Sequence, residues 1–509
     1  MGAKLIEAWK TNKIKKEWKI AFIATFIIGL LVHIYRFTND IPNHDGIINQ
    51  YDSQNIIGSG RWFLTVACMF SSYFDLPLID GIFSLVFISL TMVLIVEIFK
   101  MENPVLIVIG GGILVSFPAI TDTFLFLYTA DGYMIAMFFA SIAVYITRME
   151  TPGVWRTVIA AILICLACGI YQAYVSFALV LAICYFIFSV LKEKLETKNL
   201  FKWIGRQAII YVAGLALYYV IWQILLVVEN VDLNDYLGIN ELSFSASTIV
   251  DAFKGMISSL ALAFAGGDIV NRGLNVYCVL NIIFLVMFAV SFVVVLFKQK
   301  MFQRKLQLLL VLLAVVAIPF AIFMWYFATT SEDFNYFTRM EQSVSILYIF
   351  FAVIVEEFLA VKLKNIVAVL LSVIIVNYGV MANVGYEATT QCYETSYAMT
   401  VDIMAQITSL DTDVKKIAVV CERGKVIDEK YYNSCRLFLN SLGTYFIYST
   451  SQMVTFLNDI YLTDYEEATY AEVEALKELE EVQEMGTWPS SDSVEVIDDY
   501  IVIKLSEIE

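Results

Sequence analysis

The residues able to do chemistry crowd into one short stretch. Residues 38–62 read TNDIPNHDGIINQYDSQNIIGSGRW and hold Asp40, His44, Asp45, Asn49, Asp52, Gln54, Asn55 and Arg61. Asp45 and Asp52 stand seven apart, so they share a face if the segment is helical. Gly58 and Gly60 permit a tight turn before Arg61 and Trp62. A loop carboxylate can take a proton from a hydroxyl nucleophile, and a nearby arginine can clamp a phosphate bidentately. The competing reading is a set of solvated loop carboxylates. His44 adjoins Asp45 and could orient it, although an exposed loop histidine is the plainer expectation.

A second acid, Asp131, sits in FLFLYTADGYMIAMFF, where apolar flanks make a charge costly without a partner or a function. The alternative is a span-end residue that reaches water. Arg61 and Arg339 each stand near a span end and beside aromatics, which suits a phosphate clamp; structural pairing with nearby acids is the other reading. His33 reads as a packing histidine inside a span. With two histidines in all, a histidine-rich metal site is excluded. Asp40, Asp45, Asp52 and Asp131 leave a divalent cation such as magnesium or manganese as a candidate, with none required.

These residues need a scaffold, and composition says which kind. The chain has 509 residues, 60% of them hydrophobic and 16% charged, with a mean hydropathy of +0.74. Soluble domains carry about 45–50% apolar and about 25% charged residues. A soluble enzyme is therefore excluded for most of the chain, and a polytopic membrane protein is expected. Eleven apolar runs read as spans: 20–37, 81–99, 104–119, 128–147, 156–170, 172–191, 207–228, 273–297, 306–328, 342–360 and 365–383. Residues 62–78 and 254–270 read as interfacial or re-entrant. Lys4, Lys10, Lys13, Lys15, Lys16 and Lys19 precede the first span and no small-residue cleavage site follows it, which marks a retained span with a cytoplasmic N-terminus. Eleven spans then place the tail outside. On that topology the inner loops hold 20 Lys/Arg and 9 Asp/Glu, and the outer loops before the tail hold 5 and 16.

The net charge of −16 belongs to the tail, because residues 384–509 hold 24 Asp/Glu against 8 Lys/Arg. No basic patch points to nucleic acid. The chain divides into a basic N-terminus (1–19), a membrane region (20–383) and an acidic α/β domain (384–509). The tail reads helix 390–409, strand 415–421, helix 428–441, strand 443–448, acidic helix 464–485, then strands 493–497 and 500–504. The acidic run reads as a solvated helix face. Cys421 and Cys435 are a candidate disulfide pair, with Cys392 left over; Cys165 and Cys168, inside a span, read as packing.

The run from Asp45 through Ser59-Gly60-Arg61-Trp62, followed by an apolar stretch, resembles the GtrII-like glucosyltransferase family of bacterial surface-polysaccharide modification. Further echoes are YTADGY (Tyr128 to Tyr133), GIYQAY (Gly169 to Tyr174) and YFTRMEQS (Tyr336 to Ser343), in the family's order over roughly residues 20–380. The family shows paired acids in the first loop, whereas this chain has His44-Asp45-Gly46 there, so Asp45 acts alone or with Asp52 or Asp40. The resemblance implies a GT-C-like multi-span glycosyltransferase in the bacterial plasma membrane; with the eleven apolar runs and the tail, which lies outside the resemblance, the expected fold is a mainly α bundle of about eleven spans with a small extracytoplasmic α/β domain. It implies a polyprenyl-phosphate sugar donor, typically of glucose, a surface-glycan acceptor and contact with membrane lipid. A donor synthase and a flippase would be partners. Catalytic candidates are Asp45, Asp52 and Asp131. Substrate-binding candidates are Asp40, His44, Gln54, Asn55, Arg61, Trp62, Tyr171, Gln172 and Arg339. Two other classes compete. A lipid-glycan flippase needs a polar pathway through the spans, and few mid-span charges exist; a non-enzymatic scaffold needs no acids gathered at the membrane edge.

Overall fold

The computed structural model describes residues 14–49, 53, 55–151, 153–193, 195–231, 246–266, 275–328, 336–421 and 446–508. Among the described residues, thirteen helices longer than one turn build the membrane region: α1 Lys16–Thr38, α2 Pro77–Phe99, α3 Pro104–Ser116, α4 Pro118–Phe124, α5 Ala130–Ile146, α6 Val154–Ile170, α7 Ala173–Lys192, α8 Thr197–Val228, α9 Ala246–Ala265, α10 Val276–Lys298, α11 Lys305–Ile322, α12 Ser345–Phe358 and α13 Val361–Ser409. A single helical turn, Leu64–Ala67, lies between α1 and α2. The fold is thus a mainly α polytopic bundle with a small sheet near the C-terminus.

By length and apolarity nine of the described helices can cross a membrane, or ten if the bent pair α3–α4 is one span. Pro118 opens α4, and the two helices meet at 43°. The eleven expected spans are helical over most of their described length, but α6 has 17 residues and α12 only 14, short of the ~20 of an ordinary crossing. The helix α9 meets the length criterion although residues 254–270 read as interfacial. Its contacts are with the ends of its neighbours. Phe253 packs on Phe320 and Phe327, and Ser259 bonds the Tyr326 hydroxyl (2.8 Å). The Ala263 carbonyl accepts from Tyr277, at the start of α10. Both halves of α9 therefore lie against the same ends of neighbouring helices.

The bundle has two chemically distinct faces. On one, Lys15 pairs with Glu97 (2.8 Å) and Lys192 with Glu357 (2.8 Å), and the Glu356 carboxylate accepts from the backbone N–H groups of Glu102 and Asn103 (2.7 Å each). The other face carries the first loop. Beneath it His33, fully buried in α1, donates from Nε2 to the Val115 carbonyl (2.8 Å) and accepts at Nδ1 from the Tyr386 hydroxyl (2.7 Å), a satisfied packing histidine.

One element joins the two halves of the protein. The helix α13 runs 49 residues without a break, roughly 74 Å at 1.5 Å per residue, against a bilayer core of about 30 Å. Ile366, Val369, Val373, Val376 and Val380 are exposed at three- and four-residue spacing, a stripe suited to lipid. Beyond residue 383 the buried positions continue in helical phase through Cys392, Ser396, Met399 and Ile403, now against the tail. The change of character at residue 384 therefore falls inside one helix.

The tail contains β1 Lys416–Val420, α14 Thr450–Tyr461, β2 Glu466–Glu467, α15 Tyr470–Lys477, α16 Glu480–Glu484, β3 Val494–Ile497 and β4 Tyr500–Lys504. Its sheet order is β2-β1-β4-β3, with β1 parallel to both neighbours and β3–β4 an antiparallel hairpin. The expected acidic helix 464–485 is instead a short strand and two short helices. Thr469 and Glu472 form a capping box that starts α15 afresh, and Glu472 also pairs with Lys416 (2.6 Å). The expected strand 443–448 is irregular over its described residues 446–448. Cys435 and helix 428–441 lie outside the described residues, and so does the Cys421–Cys435 pairing.

Candidate active site

The turn that presents Arg61 is built by its neighbours. Gly60 donates to the Ile57 carbonyl (2.9 Å) and Arg61 to the Ile56 carbonyl (3.1 Å), with Gly60 at φ +79°. A side chain at Gly60 would overlap the Tyr218 hydroxyl and come within 2.9 Å of Gln172 Nε2. Gln172 Nε2 donates to the Ser59 carbonyl (2.9 Å) and to the Tyr218 hydroxyl (3.1 Å), and Trp222 Nε1 donates to the Ile57 carbonyl (2.7 Å). Trp62 lies flat on Gly169, where a Cβ would sit 2.7 Å from its ring. Thus α6, α7 and α8 all hold the turn, and the glycines are required by close approach.

Arg61 sits among tyrosines. Its Nη1 donates to the Tyr133 hydroxyl (3.2 Å), and its guanidinium lies 4.9 Å over the Tyr171 ring. Tyr133 and Tyr171 stack in parallel at 4.5 Å. Burial pushes the Tyr171 phenol up to about 12, so it stays protonated and able to donate. Cation–π contacts of this kind are worth about 0.5–2 kcal/mol.

Arg339 comes from the far side of the bundle. Its backbone N–H donates to Asp122 Oδ2 (2.8 Å), its Nη1 lies 3.7 Å from the same oxygen, and its guanidinium lies 4.4 Å from both the Phe126 and Phe337 rings. Burial, with Asp122 close by, pushes the Glu341 carboxyl well above the usual carboxylate range, so Glu341 is held neutral. Phe126 then links Arg339 to the first loop, because the His44 ring meets it edge-on at 5.6 Å.

The first loop is locally ordered by Asn43, whose Oδ1 accepts from the backbone N–H groups of Asp45 (3.1 Å) and Gly46 (2.8 Å). Asn49 N–H and its side-chain Nδ2 both donate to the Asp45 carbonyl (3.1 and 2.7 Å). The Asp45 side chain is 50% exposed and lies 3.7 Å from His44 Nε2. His44 itself is buried, contrary to the expectation for a loop histidine, because Phe126 and aromatics of the tail enclose it. The Tyr128 phenol lies within electrostatic reach of Asp45, Arg61 and Arg339 together. One acid, two guanidiniums and three tyrosines therefore share a neighbourhood at the loop face.

Other candidates lie elsewhere. Asp131 is fully buried, accepts from the Gly132 N–H (2.8 Å) and faces Cys68 and Asp80. The structure thus separates it from Asp45, although Tyr133, two residues on, joins the cluster. Asp40 is exposed and lies toward Arg36 and Asp75; Asn55 is exposed. Asp52 and Gln54 lie outside the described residues. Among the described residues, no group of three or more His, Cys, Asp and Glu side chains is arranged to hold a metal. Sequence reasoning passed over Asp122, Phe126 and Glu341. Asp122, the one charged residue in the run 103–130, was the available signal.

The architecture and this site define a multi-span membrane protein whose candidate site residues, Asp45, Arg61 and Arg339, lie at the face that carries the first loop. The chain belongs to the GtrII glucosyl transferase family, whose model matches residues 34–356. That match begins inside α1 and ends at Glu356, so it takes in the whole arginine–tyrosine cluster and leaves out α13 and the tail. Among curated proteins and among solved structures, nothing matches. Family membership assigns the chain to glycosyl transfer.

Proposed function

We propose that the protein transfers a sugar, glucose by family, from a polyprenyl-phosphate donor to a surface glycan. On this reading the loop face is extracytoplasmic and the lysine-bearing face cytoplasmic, in keeping with the excess of acids over bases in the loops on that side. The observation that carries the reading is the convergence of Asp45, Arg61 and Arg339 around Tyr128, at the ends of apolar helices. A lipid-anchored donor brings its phosphate to that depth.

The chemistry balances as one displacement. The Asp45 carboxylate takes the proton of an acceptor hydroxyl, and the oxygen forms a bond to the anomeric carbon. The bond from that carbon to the phosphate oxygen breaks, and polyprenyl phosphate leaves with the electron pair. Arg61 and Arg339 offset the added charge on the departing phosphate, and a single displacement inverts the anomeric centre. Tyr171 and Gln172 flank the sugar side, while Asp131 is turned toward Asp80.

Sugar transfer in proteoliposomes tests this. With a polyprenyl-phosphate glucose donor and a native surface-glycan acceptor, Asp45→Asn should lower the rate by about a hundredfold or more at matched protein level. Wild-type rates in that variant would remove Asp45 as the base.

A further inference from the structure

The tail domain and the first loop meet at His44. Gln452, in the first turn of α14, uses both ends of its amide there. Its Oε1 accepts from the Tyr448 backbone N–H (3.0 Å), and its Nε2 donates to the His44 carbonyl (3.0 Å). The helix start is itself fixed, because Ser449 caps α14 by accepting from the Gln452 N–H. The His44 ring packs against Phe446 and Tyr448 of the tail at 6.1 and 5.9 Å, and against Phe126 of the bundle on another side. Phe446 N–H donates to Ser396 Oγ (2.6 Å), which ties this segment to α13.

Burial divides the contact sharply. His44 is 8% and Gln452 3% exposed, whereas the Asp45 side chain next door is half open. The tail therefore grips residue 44 and leaves the carboxylate of residue 45 facing outward. A buried carbonyl such as that of His44 needs a donor, and Gln452, 408 residues away in the chain, supplies one. A base on a loop works only when its position is held within about 0.5 Å.

We propose that the C-terminal domain is part of the active site, with Gln452 a positioning residue that fixes Asp45 by holding the His44 backbone. This rests on the reading of the chain as a glycosyltransferase with Asp45 as base. The tail then borders the site on the side of His44, beside the half-exposed Asp45 carboxylate.

The test uses the full chain in proteoliposomes, with sugar-transfer kinetics and amide hydrogen exchange measured side by side. Gln452→Ala should lower kcat about tenfold or more with the donor KM unchanged, since a misplacement near 1 Å carries a cost of that order. Amides of residues 45–49 should exchange faster while those of the bundle keep wild-type rates. Gln452→Glu should behave alike, because a carboxylate cannot donate to the His44 carbonyl. The exposed Leu462 is remote from this contact, and Leu462→Asn should match wild type. Wild-type kcat and exchange in both Gln452 variants would overturn the proposal while leaving the transferase reading intact. So would a loss of protection spread through the whole tail, which would mark simple unfolding. Full activity in Asp45→Asn would remove the base assignment and the positioning role with it.

Discussion

Arg61 holds its charge against stacked phenol rings, and that setting distinguishes it from a lysine. The planar guanidinium both lies over Tyr171 and donates to Tyr133, whereas an ammonium is a compact, strongly hydrated point charge. Arg61→Lys should therefore raise the donor KM and lower kcat by about tenfold, short of the loss in Arg61→Ala, in the same proteoliposome assay. Equal activity of the Arg61→Lys variant and wild type would show that charge alone matters. Asp75 offers a prediction in pH. Burial pushes its carboxyl up to about 6, with Arg36 pulling it down and Asp40 pushing it up. A raised value in the folded state means that its stabilising contribution is full below the unfolded value near 4 and is lost as pH rises through about 6. The melting temperature should fall between about pH 4 and pH 6 and level off above it, and Asp75→Asn should flatten that fall. At this scale the sequence revealed Asp45, Arg61 and Arg339 through their types and their place beside spans. It did not reveal Phe126 or Asp122, whose roles depend on Arg339, more than two hundred residues away.

The turn at residues 56–61 is an element with no regular structure of its own, positioned by three helices. Gly60→Ala should cost at least about 1 kcal/mol of backbone strain, and its methyl would drive the Tyr218 hydroxyl off Gln172. Thermal unfolding should show a lower midpoint and transfer assays a higher donor KM; an unchanged midpoint would mean that the turn relaxes freely. The turn before Arg61 and Trp62 was readable because Gly58 and Gly60 permit tight backbone there. Element boundaries were less legible. Hydropathy ends at residue 383, so the sequence suggested a domain boundary where the helical phase of Cys392, Ser396, Met399 and Ile403 carries α13 onward. The Thr469–Glu472 capping box likewise announces a fresh helix start within a run that reads as uniformly acidic.

Across the whole molecule, the apolar segments and the tail strands β1, β3 and β4 were legible because each rests on local periodicity, whereas α14 and the broken acidic run were not. The docking of that tail on the first loop was not, since it depends on one amide and three aromatic rings brought together by folding. The proposed orientation makes a simple expectation. An epitope inserted after Leu462, an exposed residue just past α14, should bind antibody on intact cells, and a tag on Met1 should bind only after permeabilisation. The reverse pattern would invert the protein and move the site to the cytoplasmic side. The bond between His44 and Gln452 also has a meaning in time. Ribosomes add about 5–20 residues per second, so the 408 residues between the two partners take roughly 20–80 s to make. The first loop is thus synthesised long before its clamp exists, and a chain interrupted during translation between Arg339 and α14 carries its acid and both arginines but not the part that holds them. If Gln452 positions Asp45 as proposed, synthesis of α14, rather than insertion of the bundle, is the event that finishes the site.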